Sequence, residues 1–350
     1  MSIGIIHAGH HTMKFASLRA RLSPQVKPFT DVVGLELGAA HPSGVPAVRL
    51  WKQADKIELV AAGFLDLPGV LPETAEAFLE GAPVVWTLPL PYHAPHAALA
   101  ITSEQAFFRH ASGSGEEESS NKQIAYRTTA HALEADLPPL EVGIPEFQAA
   151  WAARLLPEGR TPTACSLQLS APAAINGFTT SPLFDTLSGT AVVLFVFSEQ
   201  TSLVAFHNSQ LVLYREHPIG YSHVRVAITN QMRIDTALAD SVLQDTFIDP
   251  IPMIEPVLKA LFRQVEISSD YLLRRRDCKT QQFFVCGLPS GANYWSTIFT
   301  RMMNLPLTLF RPFERFDNVQ SSAQIPEDLA AVEPFLMTAL GAALAAVEDV

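Results

Sequence analysis

Cysteine is scarce in this sequence, and its scarcity excludes two kinds of protein. The 350 residues contain three cysteines, Cys165, Cys278 and Cys286, which are odd in number and far apart. Such a set cannot build a disulfide framework or a four-cysteine zinc site. The pattern fits a reducing compartment, so we expect a cytoplasmic protein.

Basic charge is also in short supply. Lysine and arginine total 24 against 35 acidic residues, which gives a net charge of -11 at pH 7. A chain without an overall positive field has no means to neutralise a phosphate backbone, so nucleic acid is excluded as a principal partner. Hydrophobic residues make up 48% and charged residues 17% of the chain. This composition is typical of a folded protein, and the length suits two domains or one large bilobed fold.

Long apolar runs are missing as well. The longest, 191–197 and 339–347, fall well short of the roughly 20 residues that a membrane-spanning helix needs. Residues 1–20 hold no continuous apolar segment of the kind found in secretion signals. We therefore expect no direct membrane insertion, and any link to the membrane must run through a partner.

The beginning of the sequence reads as a tail. Residues 1–31 carry prolines and no sustained period, and they include His7, His10 and His11. Histidines in a flexible tail, with no carboxylate close in sequence, make a poor metal site, so no metal is expected.

Strands and helices follow one another in the same order twice. Strands are predicted at 32–38, 47–51 and 57–64, and again at 190–197, 202–207 and 210–216, with Asn208-Ser209 as a hairpin turn. A coil containing Gly177 and Pro182 is expected after a strand at 163–170. Helices are predicted at 123–135, 147–156, 252–275, 293–303 and 329–347. Further strands are predicted at 282–286 and 307–310, and 97–111 is predicted as two strands joined by Thr102-Ser103-Glu104.

This doubled order is the layout of the actin, Hsp70 and sugar-kinase superfamily. Within it, the chain resembles the PilM family of type IV pilus assembly proteins from about Val32 to Val347. The residues that carry the resemblance are VGLELG at 33–38, AAGFLDLP at 61–68, QLVLYREHPIG at 210–220, the segment 267–276, Asn304-Leu305-Pro306, Pro312-Phe313-Glu314-Arg315 and Ala339 to Leu344.

The resemblance implies an α/β, actin/Hsp70-like (ribonuclease H-like) two-lobed fold with mixed five-stranded sheets and an inserted small subdomain. After the tail at 1–31, a first lobe is expected at 32–189, with the inserted subdomain at about 97–172. A C-terminal helix at 327–350 completes this lobe, and a second lobe is expected at 190–326. In the superfamily, turns of the two lobes face each other across a cleft and hold nucleotide phosphates.

The resemblance also places residual nucleotide-binding positions, for ATP with magnesium. They are Glu36, Gly38, Thr201, Ser202, Gly287 and Gly291. Glu36 stands where the family has aspartate, but the family's Asp-Ile-Gly falls on Phe195-Val196-Phe197, which supplies neither carboxylate nor glycine. The segment His7 to Lys14 also imitates a phosphate loop, although 33–68 fits the strand spacing better. Ser290 lies in no nucleophile elbow. We therefore expect no catalytic residue, no certain cofactor and no hydrolysis.

The implied function is that of a cytoplasmic scaffold at the inner face of the cytoplasmic membrane, held there by a partner. The resemblance implies a groove beside the inserted subdomain, with Leu167, Leu169 and Ser170 on its wall. This groove would take the N-terminal peptide of a PilN-like inner-membrane protein. A pilus assembly ATPase is a further implied partner. Two alternatives stay open: an active ATPase of the same fold, and a GspL-like component of type II secretion.

Overall fold

The computed structural model describes residues 29–38, 44–54, 56–67, 77, 85–103, 105–110, 124–130, 140–156, 161–244, 247–289, 292–316, 325–326 and 329–348. Most of the predicted tail and Gly291 lie outside these residues. The chain divides into two compact units. Unit 1 comprises the described residues of Met1–Pro182 and Pro312–Val350, and unit 2 comprises those of Leu183–Arg311.

Unit 1 is built on a mixed five-stranded sheet in the order β3-β2-β1-β4-β8. Strands β1, β2 and β3 form an antiparallel meander, whereas β4 and β8 join parallel to β1. Parallel strands end at the same edge of a sheet, so the carboxyl ends of β1, β4 and β8 lie side by side. The bounds are β1 Asp31–Leu37, β2 Val45–Gln53, β3 Lys56–Leu65, β4 His96–Ile101 and β8 Thr163–Leu169.

A three-stranded sheet in the order β5-β7-β6 lies between β4 and β8 in the chain. Its elements are β5 Phe107–His110, β6 Ile124–Ala130 and β7 Leu140–Pro145, followed by helix α1, Glu146–Leu155. The helix predicted at 123–135 is wrong, because residues 124–130 pair antiparallel with β7. The run Tyr126-Arg127-Thr128-Thr129 favours a strand once a partner strand is present. Of the predicted insertion 97–172, β4 and β8 belong to the large sheet, which leaves 107–155 for the three-stranded sheet and α1.

Two helices cover one face of the large sheet in unit 1. They are α2, Ser170–Thr179, and α8, Leu329–Glu348. The coil expected around Gly177 is wrong, because α2 forms there and nine of its ten residues are buried. A Cβ on Gly34 would overlap with the carbonyl oxygen of Ala339, so α8 lies directly against the backbone of β1. Phe313 and Phe316 pack in the same core as α8, so this segment belongs to unit 1.

Unit 2 repeats the sheet order with β11-β10-β9-β12-β13. Its strands are β9 Thr190–Val196, β10 Thr201–His207, β11 Gln210–His217, β12 Thr280–Cys286 and β13 Leu307–Leu309. The predicted turn at Asn208-Ser209 is confirmed, with φ of 47° and 63°. These are the positive values that a two-residue hairpin turn requires.

The helices of unit 2 pack against one face of this sheet. They are α4 Tyr221–Met232, α5 Thr236–Gln244, α6 Ile251–Arg276 and α7 Asn293–Met303, and the short α3 Pro182–Asp185 stands at the unit boundary. Their shared core contains Leu194 of β9, Leu258 and Phe262 of α6, and Trp295 of α7. Phe262 meets Trp295 and Phe299 edge to face at ring distances of 5.9 and 5.0 Å.

Candidate functional site

The carboxyl ends of β1, β4 and β8 bring a buried glutamate and several hydroxyl groups together in unit 1. Glu36 is the sixth residue of β1, Thr102 follows β4, and Ser170 begins α2 directly after β8. The Thr102 hydroxyl donates to Glu36 Oε1 at 2.7 Å, and the Ser170 hydroxyl donates to the same oxygen at 3.2 Å. Thr338 of α8 also hydrogen-bonds the Glu36 side chain. One carboxyl group therefore ties four elements together.

Burial governs the charge of Glu36, whose exposed fraction is only 6%. Loss of hydration raises its pKa from 4.5 to about 7, against the lowering effect of the hydrogen bonds from Thr102, Ser170 and Thr338. At neutral pH the carboxyl group is therefore protonated in a large fraction of molecules. A magnesium ion needs an accessible, ionised oxygen. An oxygen that is buried and already accepts two hydrogen bonds is poorly suited to that role.

The chain after Glu36 turns sharply. Gly38 has φ of 85°, in the region that favours glycine, and the amide of Thr102 donates to the carbonyl of Leu37 at 2.8 Å. Residues 39–43, which would complete a phosphate loop, lie outside the described residues. Gly38 thus directly follows the end of β1, two residues after Glu36, and its positive φ gives it a role in the turn itself.

In unit 2 the corresponding turn joins β9 to β10. The amide of Phe197 donates to the carbonyl of Gln200 at 2.9 Å and closes the turn. Phe195 is completely buried within β9, where it lies opposite Ser202 of β10 and Cys286 of β12. Phe197 is half-buried. Position 195, where the sequence predicts an aromatic ring in place of a carboxylate, therefore holds a completely buried side chain.

The same turn is locked to the first residues of α4. The amides of Tyr221 and Ser222 donate to the carbonyls of Phe197 and Ser198 at 2.9 and 2.8 Å. A Cβ on Gly220 would overlap with the carbonyl of Ser198, so the two segments touch through their backbones. Two amides at the N-terminus of α4, which could otherwise meet an anion, are already used.

Glu199 adds a negative charge at the tip of this turn. Its carboxylate accepts a hydrogen bond from the Ser198 hydroxyl at 3.0 Å and from the Ser222 hydroxyl at 2.9 Å. A phosphate group near this carboxylate would meet a like charge at close range. Phosphate binding requires hydrogen-bond donors, whereas this turn presents carbonyl groups and a carboxylate.

The predicted hydroxyl pair of unit 2 points inward. Thr201 and Ser202 are both completely buried. The Thr201 hydroxyl donates to the carbonyl of Ile219 at 2.6 Å, and the Ser202 hydroxyl lies 3.2 Å from the Tyr214 hydroxyl. Tyr214 in turn donates to Glu216, and burial raises the pKa of Tyr214 well above its usual value. Both hydroxyl groups are thus engaged inside the unit.

Gly287, at the end of β12, also has a local structural role. Its φ is 90°, and a Cβ there would overlap with the carbonyl of Val196. Glycine is required for both reasons, whether or not a nucleotide is present. Gly291 lies outside the described residues.

The predicted wall of the peptide groove is β8. This strand pairs with β4 on one side, and within the described residues no strand pairs with its other edge. Leu167 is half-buried, whereas Leu169 and Ser170 are each 6% exposed. The Ser170 hydroxyl also donates a hydrogen bond to Glu36. Of the three predicted groove residues, Leu167 is therefore the most accessible.

Sequence reasoning missed three residues of these clusters, namely Thr102, Thr338 and Glu199. Thr102 directly follows the strand predicted at 97–101, but the pairing of that strand with β1 is visible only in the structure. Thr338 could not be found from the sequence, since its place depends on how α8 packs. In the described part of the chain there is no group of three or more histidine, cysteine, aspartate or glutamate residues arranged to hold a metal. The histidines at 7, 10 and 11 lie outside that part.

Among the residues that the structure covers, no helix has both the length and the apolar character needed to cross a bilayer. No protein-family model and no curated protein sequence matches the chain.

Solved structures do match it. The structure described as the PilM-PilN type IV pilus biogenesis complex superposes with a TM-score of 0.63 at 18% identity, over 91% of this chain and 99% of the other. The ethanolamine utilization protein EutJ from Carboxydothermus hydrogenoformans gives 0.47 at 13% identity, over 94% of each chain. The archaeal actin homologue Ta0583 in complex with ADP gives 0.43 at 15% identity, over 91% and 99%. The predicted actin-like α/β fold is confirmed, and the resemblance to PilM is confirmed at the level of the fold.

Proposed function

We propose that this chain is a cytoplasmic scaffold of the type IV pilus assembly platform that binds the N-terminal cytoplasmic peptide of a PilN-like membrane protein and does not turn over ATP. The observation that carries the proposal is the superposition on a chain of a PilM-PilN complex over nearly the full length of both chains. A pilus assembly ATPase is a further partner in this proposal. The partner peptide holds the scaffold at the inner face of the membrane.

Three features of the candidate site support the absence of ATP hydrolysis in this proposal. Glu36 is buried, with a pKa of about 7. The β9–β10 turn carries Phe195 and Phe197 in place of carboxylate and glycine. Its tip holds Glu199, and its carbonyls occupy the first amides of α4. To stabilise the negative charge of a phosphoryl group, a site needs hydrogen-bond donors and cations instead of carbonyl groups and carboxylates.

The support for peptide binding comes from β8, which has one edge that pairs with no strand among the described residues. An unpaired strand edge offers backbone amides and carbonyls, which an extended peptide can pair with, and side chains along the edge select its sequence. Half-burial of Thr163 to Leu167 leaves room for such a strand. The residues assigned to this contact are Leu167, with Leu169 and Ser170 supporting the strand from inside.

The test is calorimetry of the full chain with synthetic peptides that match the N-terminal segment of the PilN-like protein. We expect binding that Leu167→Asp abolishes. Leu309→Asp is the matched control, because Leu309 also lies on an edge strand, β13, but in unit 2. Equal binding by both variants, or no binding by the parent chain, would contradict the assignment.

The main alternative is an active ATPase, with Glu36 at the magnesium shell and Gly38, Thr201, Ser202, Gly287 and Gly291 around the nucleotide. The observation in its favour is the position of Glu36 at the common end of three parallel strands. Calorimetry with ATP and magnesium decides between the two. We expect no heat of binding, whereas micromolar affinity lost in Glu36→Ala would establish the alternative. A GspL-like role in type II secretion predicts instead a partner from that system in the peptide assay.

A further inference from the structure

The N-terminal segment reaches unit 1 close to β8, whose outer edge pairs with no strand among the described residues. Residues 1–28 lie outside those residues, which begin at Phe29. The centre of the Phe29 ring lies 4.4 Å from that of His96, the first residue of β4, and the Phe29 amide donates to the carbonyl of Ala346 at 3.2 Å. His96 pairs with Thr163, the first residue of β8. The chain therefore enters one strand away from β8, at the amino ends of β4 and β8.

The N-terminal segment contains one pattern of strand length. Residues 16–22, Ala-Ser-Leu-Arg-Ala-Arg-Leu, alternate strictly between apolar and polar side chains. This run is too short to form a sustained period, but its seven residues equal the length of β8, Thr163–Leu169. Ser23-Pro24 follows and is a typical strand end, because proline cannot donate a ladder hydrogen bond. Residues 16–22 therefore have the pattern of a single strand with one apolar face.

The connection between this pattern and Phe29 is long enough to reach the outer edge of β8. Adjacent strands lie about 4.8 Å apart, so a strand beside β8 would lie about 10 Å from β4. Residues 23–28 can span up to roughly 20 Å when extended. Residue 22 is closer in sequence to the entry point at the amino end of β8 than residue 16 is. Paired with β8, residues 16–22 would therefore run antiparallel to it.

The opposite edge of the same sheet, β3, is less suitable for a further strand. It begins with Lys56 and carries Glu58, and charged side chains on an edge strand oppose pairing with another strand. In contrast, Thr163–Leu169 contains no charged residue, and its first five residues are half-buried. The ring contact of Phe29 is also with β4, which is the neighbour of β8 and not of β3. Both observations favour β8.

The charge of the N-terminal segment is opposite to that of the rest of the chain. Residues 1–28 include four basic residues and no acidic one, so all 35 acidic residues follow them. The segment is therefore attracted to the remainder of the protein. We propose that residues 16–22 pair with the outer edge of β8 and compete there with the partner peptide.

This inference rests on the proposed function, because it assigns a competitor to the same peptide site. The segment belongs to the same chain, so its effective concentration at β8 is on the order of millimolar. A strand with weak intrinsic affinity can therefore compete with a free peptide. Release of residues 16–22 from β8 makes the peptide site available.

Hydrogen exchange of the full chain tests the occupancy of β8 without any partner peptide. Leu18→Asp adds a charge at an apolar position of 16–22, and Ser17→Asp adds the same charge at a polar position. We expect the amides of Thr163–Leu169 to exchange about tenfold faster in Leu18→Asp than in the parent chain, whereas Ser17→Asp matches the parent. Equal exchange in all three proteins would overturn the proposal. Protection that is lost on dilution would also overturn it, because the strand would then come from a second copy.

Calorimetry with the synthetic PilN-like peptide separates this inference from the function on which it rests. We expect Leu18→Asp to bind the peptide about tenfold more tightly than the parent chain, and Ser17→Asp to bind like the parent. Equal affinities in all three proteins would overturn the competition and leave the proposed function intact. No peptide binding in any of them, together with the expected exchange pattern, would contradict the proposed function and support the pairing of 16–22 with β8.

Discussion

Gly341 of α8 lies against the carbonyl oxygen of Ala173 in α2, so closely that any Cβ at position 341 would overlap with that oxygen. The contact is between two helix backbones and leaves no flexible side chain to move aside. The small residues around it, among them Ala342, Ala343 and Ala339, are all completely buried. This approach fixes the separation of the two helices that cover the sheet of unit 1.

Gly341→Ala should therefore destabilise unit 1 strongly. Overpacking of a rigid site costs about 3 kcal/mol or more in the free energy of unfolding, which urea denaturation will show. The matched control is Gly177→Ala in α2, where the added Cβ would lie 3.5 Å from the Cα of Gly341, an ordinary contact. Since alanine favours helix over glycine, that control should be neutral or stabilising. Equal losses in both variants would contradict the close-contact argument.

Glu36 should make stability depend on pH. Its pKa in the folded chain is about 7, above the ordinary value of 4.5. A raised pKa gives a stabilising contribution that is complete below about pH 4.5 and is lost as the pH rises through 7. The loss amounts to roughly 3 kcal/mol at most.

Urea denaturation between pH 5 and pH 8 measures this effect. Glu36→Gln, which keeps a neutral group of the same shape, should flatten the pH dependence and be the more stable protein at pH 8. Thr338→Val removes a hydrogen bond that lowers the pKa, so the decline should move to higher pH. A parent chain and a Glu36→Gln variant with parallel pH profiles would refute the assignment.

Tyr214 links β10 and β11 through its hydroxyl group, which contacts Ser202 and donates to Glu216. Tyr214→Phe leaves the completely buried Ser202 hydroxyl without this partner, so it should cost about 1–2 kcal/mol in unfolding free energy. Loss of the bond should also raise the pKa of Glu216 further, because the Tyr214 hydroxyl lowers it. Tyr271→Phe at an exposed position is the control and should change stability by less than about 0.5 kcal/mol.

Arg315 joins the ends of two helices in unit 1. Its guanidinium donates to the carbonyl of Thr180, just after α2, at 2.8 Å and to Glu348 of α8 at 2.9 Å. Lysine cannot reach both partners with a fixed fork, so Arg315→Lys should lower the unfolding free energy by about 1 kcal/mol. Arg301→Lys is the control, because Arg301 forms an exposed ion pair with Glu255, and it should lower the unfolding free energy less. Thermal denaturation of both variants measures the two losses. The reverse order of the two effects would refute this role.

The helices and strands that could be predicted from the sequence are those whose own residues carry a complete local pattern. Helix α7 has the predicted bounds, Asn293–Met303, and the apolar run of β9 identifies a central strand. Helix α2 could not be predicted, because Pro172, Asn176 and Gly177 favour a coil and its helical state depends on burial against α8. Strand β6 was missed for a similar reason, since only its pairing with β7 decides between strand and helix.

The candidate site, like the fold, could be predicted only where the sequence order alone decides the position of a residue. The position of Glu36 follows from the order of strands, and the missing carboxylate at Phe195 is visible in the sequence. The raised pKa of Glu36 could not be foreseen, because it results from burial, and the segments that meet around the carboxyl group lie 66 to more than 130 residues farther along the chain. The inward direction of Thr201 and Ser202 likewise depends on packing and not on residue type.

The construction of unit 1 from two distant stretches of sequence bears on how the protein is made. The ribosome delivers β1 roughly 300 residues before α8, the helix that packs directly on its backbone. All the strands of unit 2 emerge in between. Unit 2 can thus assemble while the sheet of unit 1 still has an uncovered apolar face, a period in which that face is open to chaperones and to unwanted association.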